Sequence, residues 1–549
     1  MQKLVACLLP ILAAFPAVAG EPEVRDPLIV AGRASFDLGV EYRLRNIYIN
    51  PLELNGTEAV EVTYGIQRLR TAWEFDWDDK VKIVTQMDFL DGVLVGDNGL
   101  IFGEDPYPNE GTATLARWPN EAGIAAVLKE GMDPYDSDSY TYGLKRMDPV
   151  KIRRAWGEVS VGIGVLKVGR MPAHDGRGLL GNDGDNDLNR FGPNGRGNSY
   201  DRILFGTKPL QVAKAIISGD HSAADSRQDR GLFLGFAYDR LVDDSIQLSA
   251  DDAGQFGTSL IYKLPEFEIL GLSGRDLKLS SSFAYRNSEA VELDLYVVPL
   301  ELQIGIEDFH FEAQAAVVFG KTREVSDALA LMSSRTPVAQ DVLCWGMLAI
   351  ADYDLGPLTF TMEFDLASGD DDPRPDTSVT DFYFAEDTRV GLLLFPQVLA
   401  FETARSGAAG NAILAGLGAT NLPSTRVASG GAMTNAMVLF PQVTWNISED
   451  IFVRAGALFA WAHKPVTDPH ETLRNEDGHD FRDDAVNYNG GKPGDYYGTE
   501  FDLRFSARLW EKFYFDLEGA FLLPGDALED EHGDAVPSAM AEARFTFRY

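Results

Sequence analysis

Apolar side chains recur at every second position over most of this chain, a period that belongs to extended strands with two unlike faces and not to helices. From Phe36 the apolar set Phe36, Leu38, Val40, Tyr42 and Leu44 interleaves with Asp37, Gly39, Glu41, Arg43 and Arg45. The same grammar places Trp73, Phe75 and Trp77 against Glu74 and Asp76, Leu358 to Leu366 against Thr359, Thr361, Glu363 and Asp365, and Phe501, Leu503 and Phe505 against Asp502, Arg504 and Ser506. About twenty such segments occur, mostly of about 8 to 13 residues.

Long alternating strands build either a soluble sandwich, solenoid or propeller, with the apolar face in a core, or a membrane barrel, with that face on lipid. Strand length separates the two, because soluble strands average roughly five to six residues and a tilted bilayer-crossing strand needs about 9 to 11. Turn lengths agree with the barrel. Very short connections such as Asp78-Asp79, Glu307-Asp308, Gly356-Pro357 and Glu511-Lys512 alternate with long ones such as Asp91 to Pro149, Gly320 to Gln340 and Lys464 to Tyr497, the first and last of them acidic. Trp77, Trp445, Trp510 and Phe513 stand beside short turns, where an interfacial aromatic girdle belongs. The predicted fold is all-β: a single transmembrane antiparallel β-barrel of about 18 to 20 strands, with short periplasmic turns and long acidic extracellular loops. If Gly356-Pro357 and Trp445 to Asp450 are both periplasmic turns, Ala367 to Met433 begins and ends outside, and Leu392 to Val398 is loop or an added hairpin.

The chain begins as an exported protein does. Lys3 precedes the apolar run Leu4 to Phe15, and Ala17-Val18-Ala19 presents the small residues of a cleavage site. Residues 1–19 are therefore expected to be a signal peptide and residues 20–549 the barrel. Cys344 alone then remains of the two cysteines, so no intramolecular disulfide is available. With 48 Lys and Arg against 84 Asp and Glu, the formal charge is −36, a field that repels nucleic acid.

Ala539, Ala541, Ala543, Phe545, Phe547 and Tyr549 form one face of a last strand that ends on an aromatic residue. This resembles the C-terminus of Gram-negative outer-membrane barrels, which implies that Phe545, Phe547 and Tyr549 are the signal read by the barrel-assembly machinery. The segment Lys167-Val168-Gly169-Arg170-Met171-Pro172, followed by Gly176 to Gly181 and Asp183, is similar to porin-like and alginate-export-like barrels, in which a strand ends in Gly-Arg and enters a glycine-rich loop. Gly498 to Asp502 and Pro524-Gly525-Asp526 resemble the closing hairpin of those barrels. The resemblance implies an outer-membrane channel for ions or small hydrophilic solutes, with saccharide export as one form and no catalysis. The alternative is a structural or adhesive barrel whose loops plug the pore and bind a partner. Outer-membrane lipid and lipopolysaccharide are the expected surroundings.

Enzyme motifs fail individually. Arg474 stands where a zinc-protease helix opened by His470-Glu471 needs its second histidine, and Ala315 stands where a phosphate loop ending in Gly320-Lys321-Thr322 needs its first glycine. One cation candidate exists: Asp183, Asp185, Asp187 and Asn189 set oxygen ligands at every second position, resembling the first half of a calcium loop. The inward phase supplies the candidate lumen lining, Arg43, Arg45, Arg68, Arg70, Glu74, Glu363, Asp365, Arg454, Asp502, Arg504, Arg508, Asp516 and Glu518. The narrowest point decides selectivity in a constricted pore and the mouth in a wide one. The mixed wall and acidic loops give an expected weak preference for cations.

Overall fold

The computed structural model describes residues 29–54, 61–94, 150–219, 227–241, 253–406, 429–468 and 487–549, apart from 175, 185–187, 194, 196, 290, 333, 373 and 405, together with three short strands between 114 and 144. The expected signal peptide lies outside the described residues.

Eighteen antiparallel strands form one closed ladder: β1 (Ala34–Asn50), β2 (Val62–Trp77), β3 (Val81–Leu94), β4 (Val150–Val161), β5 (Gly164–Ala173), β6 (Asn198–Thr207), β7 (Gly231–Leu241), β8 (Ala253–Ile269), β9 (Leu272–Ser288), β10 (Leu293–Ile306), β11 (Phe309–Thr322), β12 (Gln340–Leu355), β13 (Leu358–Ala367), β14 (Ala436–Asn446), β15 (Ile451–Ala462), β16 (Tyr496–Leu509), β17 (Phe513–Pro524) and β18 (Ser538–Arg548). The sheet closes because β18 returns to β1, with Glu41 opposite Arg548 and Asn50 opposite Ala539. Val40 and Tyr549 then exchange two backbone hydrogen bonds of 2.8 Å, so the terminal aromatic residue is the last rung. A further three-residue strand, Ile29–Ala31, is clipped onto the start of β1.

Closure lets every strand find a neighbour on both sides, the condition for backbone to cross hydrocarbon. The side chains agree. On β13, Phe360 and Met362 are 45 % and 46 % exposed and face out, while Thr361, Glu363 and Asp365 between them face in and are 4 %, 6 % and 0 % exposed. A wall of exposed Phe, Leu, Ile and Trp would be an aggregation surface in water, and it is the ordinary lipid face of an outer-membrane barrel. The chain is therefore an outer-membrane β-barrel, with 18 strands at the low end of the expected range. Trp77, Trp445 and Trp510 are exposed at the turn end, and the Phe513 ring lies 4.7 Å from that of Phe547.

Most turn-end hairpins are tight, and Asp78-Asp79 and Trp510-Glu511 carry the paired positive φ angles that match strand twist. The exception is the connection from β6 to β7, which carries helix α1 (Pro209–Ser218). At the other end, the Gly320 to Gln340 connection contains helix α2 (Glu324–Met332), and β9 joins β10 through only residues 289–292. Gly356-Pro357 and Trp445 to Asp450 do lie at the same end, and Leu392 to Val398 is neither strand nor open loop. Leu394–Leu399 is a π-helical turn that runs into an α-helical stretch to Ala404, folded inside the barrel.

That inward fold gives the barrel a core. Phe382, Phe384, Leu393, Phe395 and Phe401 are buried with the wall residues Phe440, Leu458 and Tyr497. Among the described residues this infold fills one section of the interior, while inward side chains nearer the turn end, such as Glu74 and His310, stay partly exposed.

Candidate functional site

Two long connections enter the lumen. The first, residues 174–197, joins β5 to β6 and is tied to the wall mainly through its backbone. Gln314 Oε1 accepts the N–H groups of Arg177 and Leu179 at 2.9 and 3.3 Å. Arg68 donates to the Gly195 carbonyl at 2.7 Å and Arg154 to that of Asp183 at 3.2 Å. Arg454 and Arg504 both donate to the Arg190 carbonyl, at 2.6 and 3.1 Å, and Glu518 accepts the Gly192 N–H at 3.0 Å. Close approach explains one glycine in particular: Gly197 has φ +81°, and a Cβ there would sit 1.8 Å from the Asp183 carbonyl oxygen.

The second connection joins β13 to β14, and its residues 368–406 and 429–435 are described apart from 373 and 405. Val379 exchanges backbone hydrogen bonds with Asp341 and Leu343 of β12, and Gln340 donates to the Arg374 and Thr377 carbonyls. Deeper in, a wall carboxylate holds it. Glu500 is fully buried and accepts the N–H groups of Leu392, Leu393 and Leu394 at 2.7, 2.8 and 2.6 Å. It caps a helix start whose N–H groups have no partner within the helix. The two connections also hold each other. Asn189 Nδ2 donates to the Asp387 carbonyl at 2.9 Å, its Oδ1 accepts the Arg389 N–H at 3.0 Å, and Thr388 Oγ1 donates to the Gly178 carbonyl at 2.6 Å.

Between them and the wall lies a constriction lined by Arg177, Arg190, Arg389, Glu363, Phe191 and Phe440, among others, with a free volume of about 10 Å³. That is room for one water molecule. Wall carboxylates orient two of the arginines. Arg177 Nε lies 3.1 Å from Glu312, and Arg190 Nη2 donates to Asp352 at 2.7 Å.

All of the candidate lumen residues fall on the inward phase, but in different circumstances. Arg454, Arg504 and Glu518 hold the first connection. Arg45 is paired bidentately with Glu542 at 2.8 and 2.9 Å, Arg70 with Asp88 at 2.7 and 2.8 Å, and Arg68 with Glu41 at 2.7 Å. Asp516 and Glu518 are bound by Arg544, at 3.2 and 2.8 Å, and Asp516 also by Arg504. Glu74 pairs with Lys82 and Arg508 with Asp450 near the turn end, and Arg43 is buried. Gln442 donates to Glu363 at 2.7 Å. Asp365 and Asp502 are buried with neither carboxyl oxygen hydrogen-bonded among the described residues.

Sequence reading missed Arg177, Arg190 and Arg389, which sit in connections without periodicity, and it missed Glu312, Asp352 and Glu500, whose inward phase was available as a signal. Of the calcium candidates, Asp185 and Asp187 lie outside the described residues. The Asn189 side chain is engaged at both ends as described above, and Asp183 lies 3.7 Å from His174 and 4.0 Å from Arg154. Burial pulls the His174 imidazole below its usual range, against the opposing pull of Asp183. Among the described residues no group of three or more His, Cys, Asp or Glu is placed to hold a metal ion.

No protein-family model matches the chain, and no curated protein matches it. Among solved structures it is similar to OccAB1 of Acinetobacter baumannii, at 9 % identity over 93 % of this chain and 96 % of that one, with a TM-score of 0.45. OccK9 (OpdG) of Pseudomonas aeruginosa matches at 10 % identity over 93 % and 99 %, with a TM-score of 0.45. A BenF-like porin from Pseudomonas fluorescens Pf-5 matches at 9 % identity over 93 % and 99 %, with a TM-score of 0.43.

Proposed function

We propose that this barrel is a porin-like channel for ions and small hydrophilic solutes, and that its selectivity resides at the constriction. The observation that supports this most is the arginine-lined gap between the infolded connections and the wall, which concentrates charge where a solute passing along the lumen would have to squeeze. In so narrow a passage the constriction outweighs the acidic mouth. Three arginines and Glu363 line it, and although Glu312 and Asp352 pair with Arg177 and Arg190 from the wall, the guanidinium donors are what the gap presents, so the proposed preference turns from cations to anions. Saccharide export is not part of the proposal.

The same narrowness favours the rival reading, a plugged barrel with a structural or adhesive role. Purified barrel in planar bilayers separates the two. Discrete conductance steps with a reversal potential on the anion side of a salt gradient are expected, and a folded barrel that passes no current would reject the channel.

A further inference from the structure

We infer that His310 makes the selectivity of the constriction depend on pH, an inference that rests on the channel reading. His310 faces the lumen from β11, and its side chain is 23 % exposed, so it exchanges protons with lumenal water. Its Nε2 lies 2.8 Å from Glu312 Oε1. The other oxygen of Glu312 lies 3.1 Å from Arg177 Nε. Across the ladder the register partner of His310 is Asp352, whose carboxylate accepts from Arg190 at 2.7 Å and from Thr361 at 2.5 Å. One imidazole thus stands beside both carboxylates that orient the two wall-paired arginines of the constriction.

The remaining neighbour on this side is cationic. Gly305 of β10 is the other register partner of His310, and the Arg275 side chain of β9 lies over it. The charged groups facing the imidazole are therefore Glu312, Asp352 and Arg275, with Arg177 and Arg190 behind the two carboxylates.

When His310 is neutral, Arg177 and Arg190 are each matched by one carboxylate. An imidazolium adds a unit of positive charge and a second N–H donor, and it competes with both arginines for the same acceptors. Each guanidinium is then less neutralised and freer to meet a solute. The lumen beside the gap becomes more positive as pH falls through the imidazole range.

Reversal potentials of the full-length barrel in a potassium chloride gradient, at pH 8 and pH 5, test this. One added charge several ångströms from the ion path should raise the chloride-to-potassium permeability ratio about two- to fivefold at the lower pH. The change should vanish in His310→Gln, with folding checked by heat-modifiable migration on gels. An unchanged ratio in the parent protein, or a change that persists in His310→Gln, overturns the inference while leaving the channel reading standing. Absence of conductance at either pH rejects the channel reading itself. In that event, NMR titration of the His310 ring in detergent decides the network: a midpoint displaced by Arg177→Gln supports it, and an unmoved midpoint overturns it.

Discussion

Removing the carboxylate of Glu500 should release the second infolded connection without unfolding the barrel. In Glu500→Ala three backbone N–H groups, now held at 2.6 to 2.8 Å inside a fully buried site, lose their only described acceptor. Each buried donor left unpaired costs about 1 to 3 kcal/mol, so the three together cost about 3 to 9 kcal/mol. Water entering the space left by the side chain brings the effect toward the lower end. A loss of about 3 kcal/mol still raises the population of released connection roughly a hundredfold. The wall does not share the loss, because Glu500 keeps its ladder position opposite Leu458 and Leu522 through backbone alone. Glu500→Gln retains one acceptor oxygen and should show a smaller effect. Single-channel conductance should rise in Glu500→Ala, and protease should cut within the connection while heat-modifiable migration stays intact. Unchanged conductance together with unchanged cleavage would refute the anchoring role. A barrel that loses heat-modifiability would show instead that Glu500 supports the wall.

Arg190→Ala empties part of the constriction and should increase conductance and weaken anion preference, read from current steps and reversal potentials. Gly169→Ala places a Cβ 2.3 Å from the Ala155 carbonyl oxygen at φ +129°, a strain of order 1 to 3 kcal/mol. It should lower the yield of heat-modifiable barrel, whereas Gly157→Ala, with nothing within 4 Å, should not. Deleting Phe547 to Tyr549 removes the last rungs between β18 and β1 and should leave the protein unassembled in membrane fractionation. Burial, and then the neighbouring Asp381, push the Asp370 carboxyl well above the usual carboxylate range. The docked connection binds this proton more readily than the released one. Its stability is therefore full below the ordinary carboxylate pKa and falls as pH rises through the raised value, and protease protection measured against pH should show that decline flattened in Asp370→Asn.

The period of two determined the wall. It assigned each strand residue to lipid or lumen, because in an extended chain the alternation is a property of adjacent residues and needs no partner. Strand length, short turns and the terminal aromatic face then led to a membrane barrel with a closing strand, and the β1 to β18 ladder has that form. What fills the lumen was not legible in the same way, because it depends on residues distant in sequence. Arg190 meets Asp352 across 162 positions, and Leu392 meets Glu500 across 108. An inward arginine such as Arg454 gives no sign in the sequence that it spends a donor on the carbonyl of Arg190, 264 positions away.

The recurring pentapeptide makes the division concrete. Leu394-Phe395-Pro396-Gln397-Val398 is helical and buried on every side, while the identical Leu439-Phe440-Pro441-Gln442-Val443 is part of strand β14. Five residues cannot choose between these states. In the first copy the carboxylate of Glu500 caps a helix start and apolar neighbours surround the turn. In the second, ladders to β13 and β15 satisfy the backbone, with Leu439 and Val443 on the lipid side and Phe440 and Gln442 inside. The surroundings supply the hydrogen bonds, and the hydrogen bonds decide the conformation.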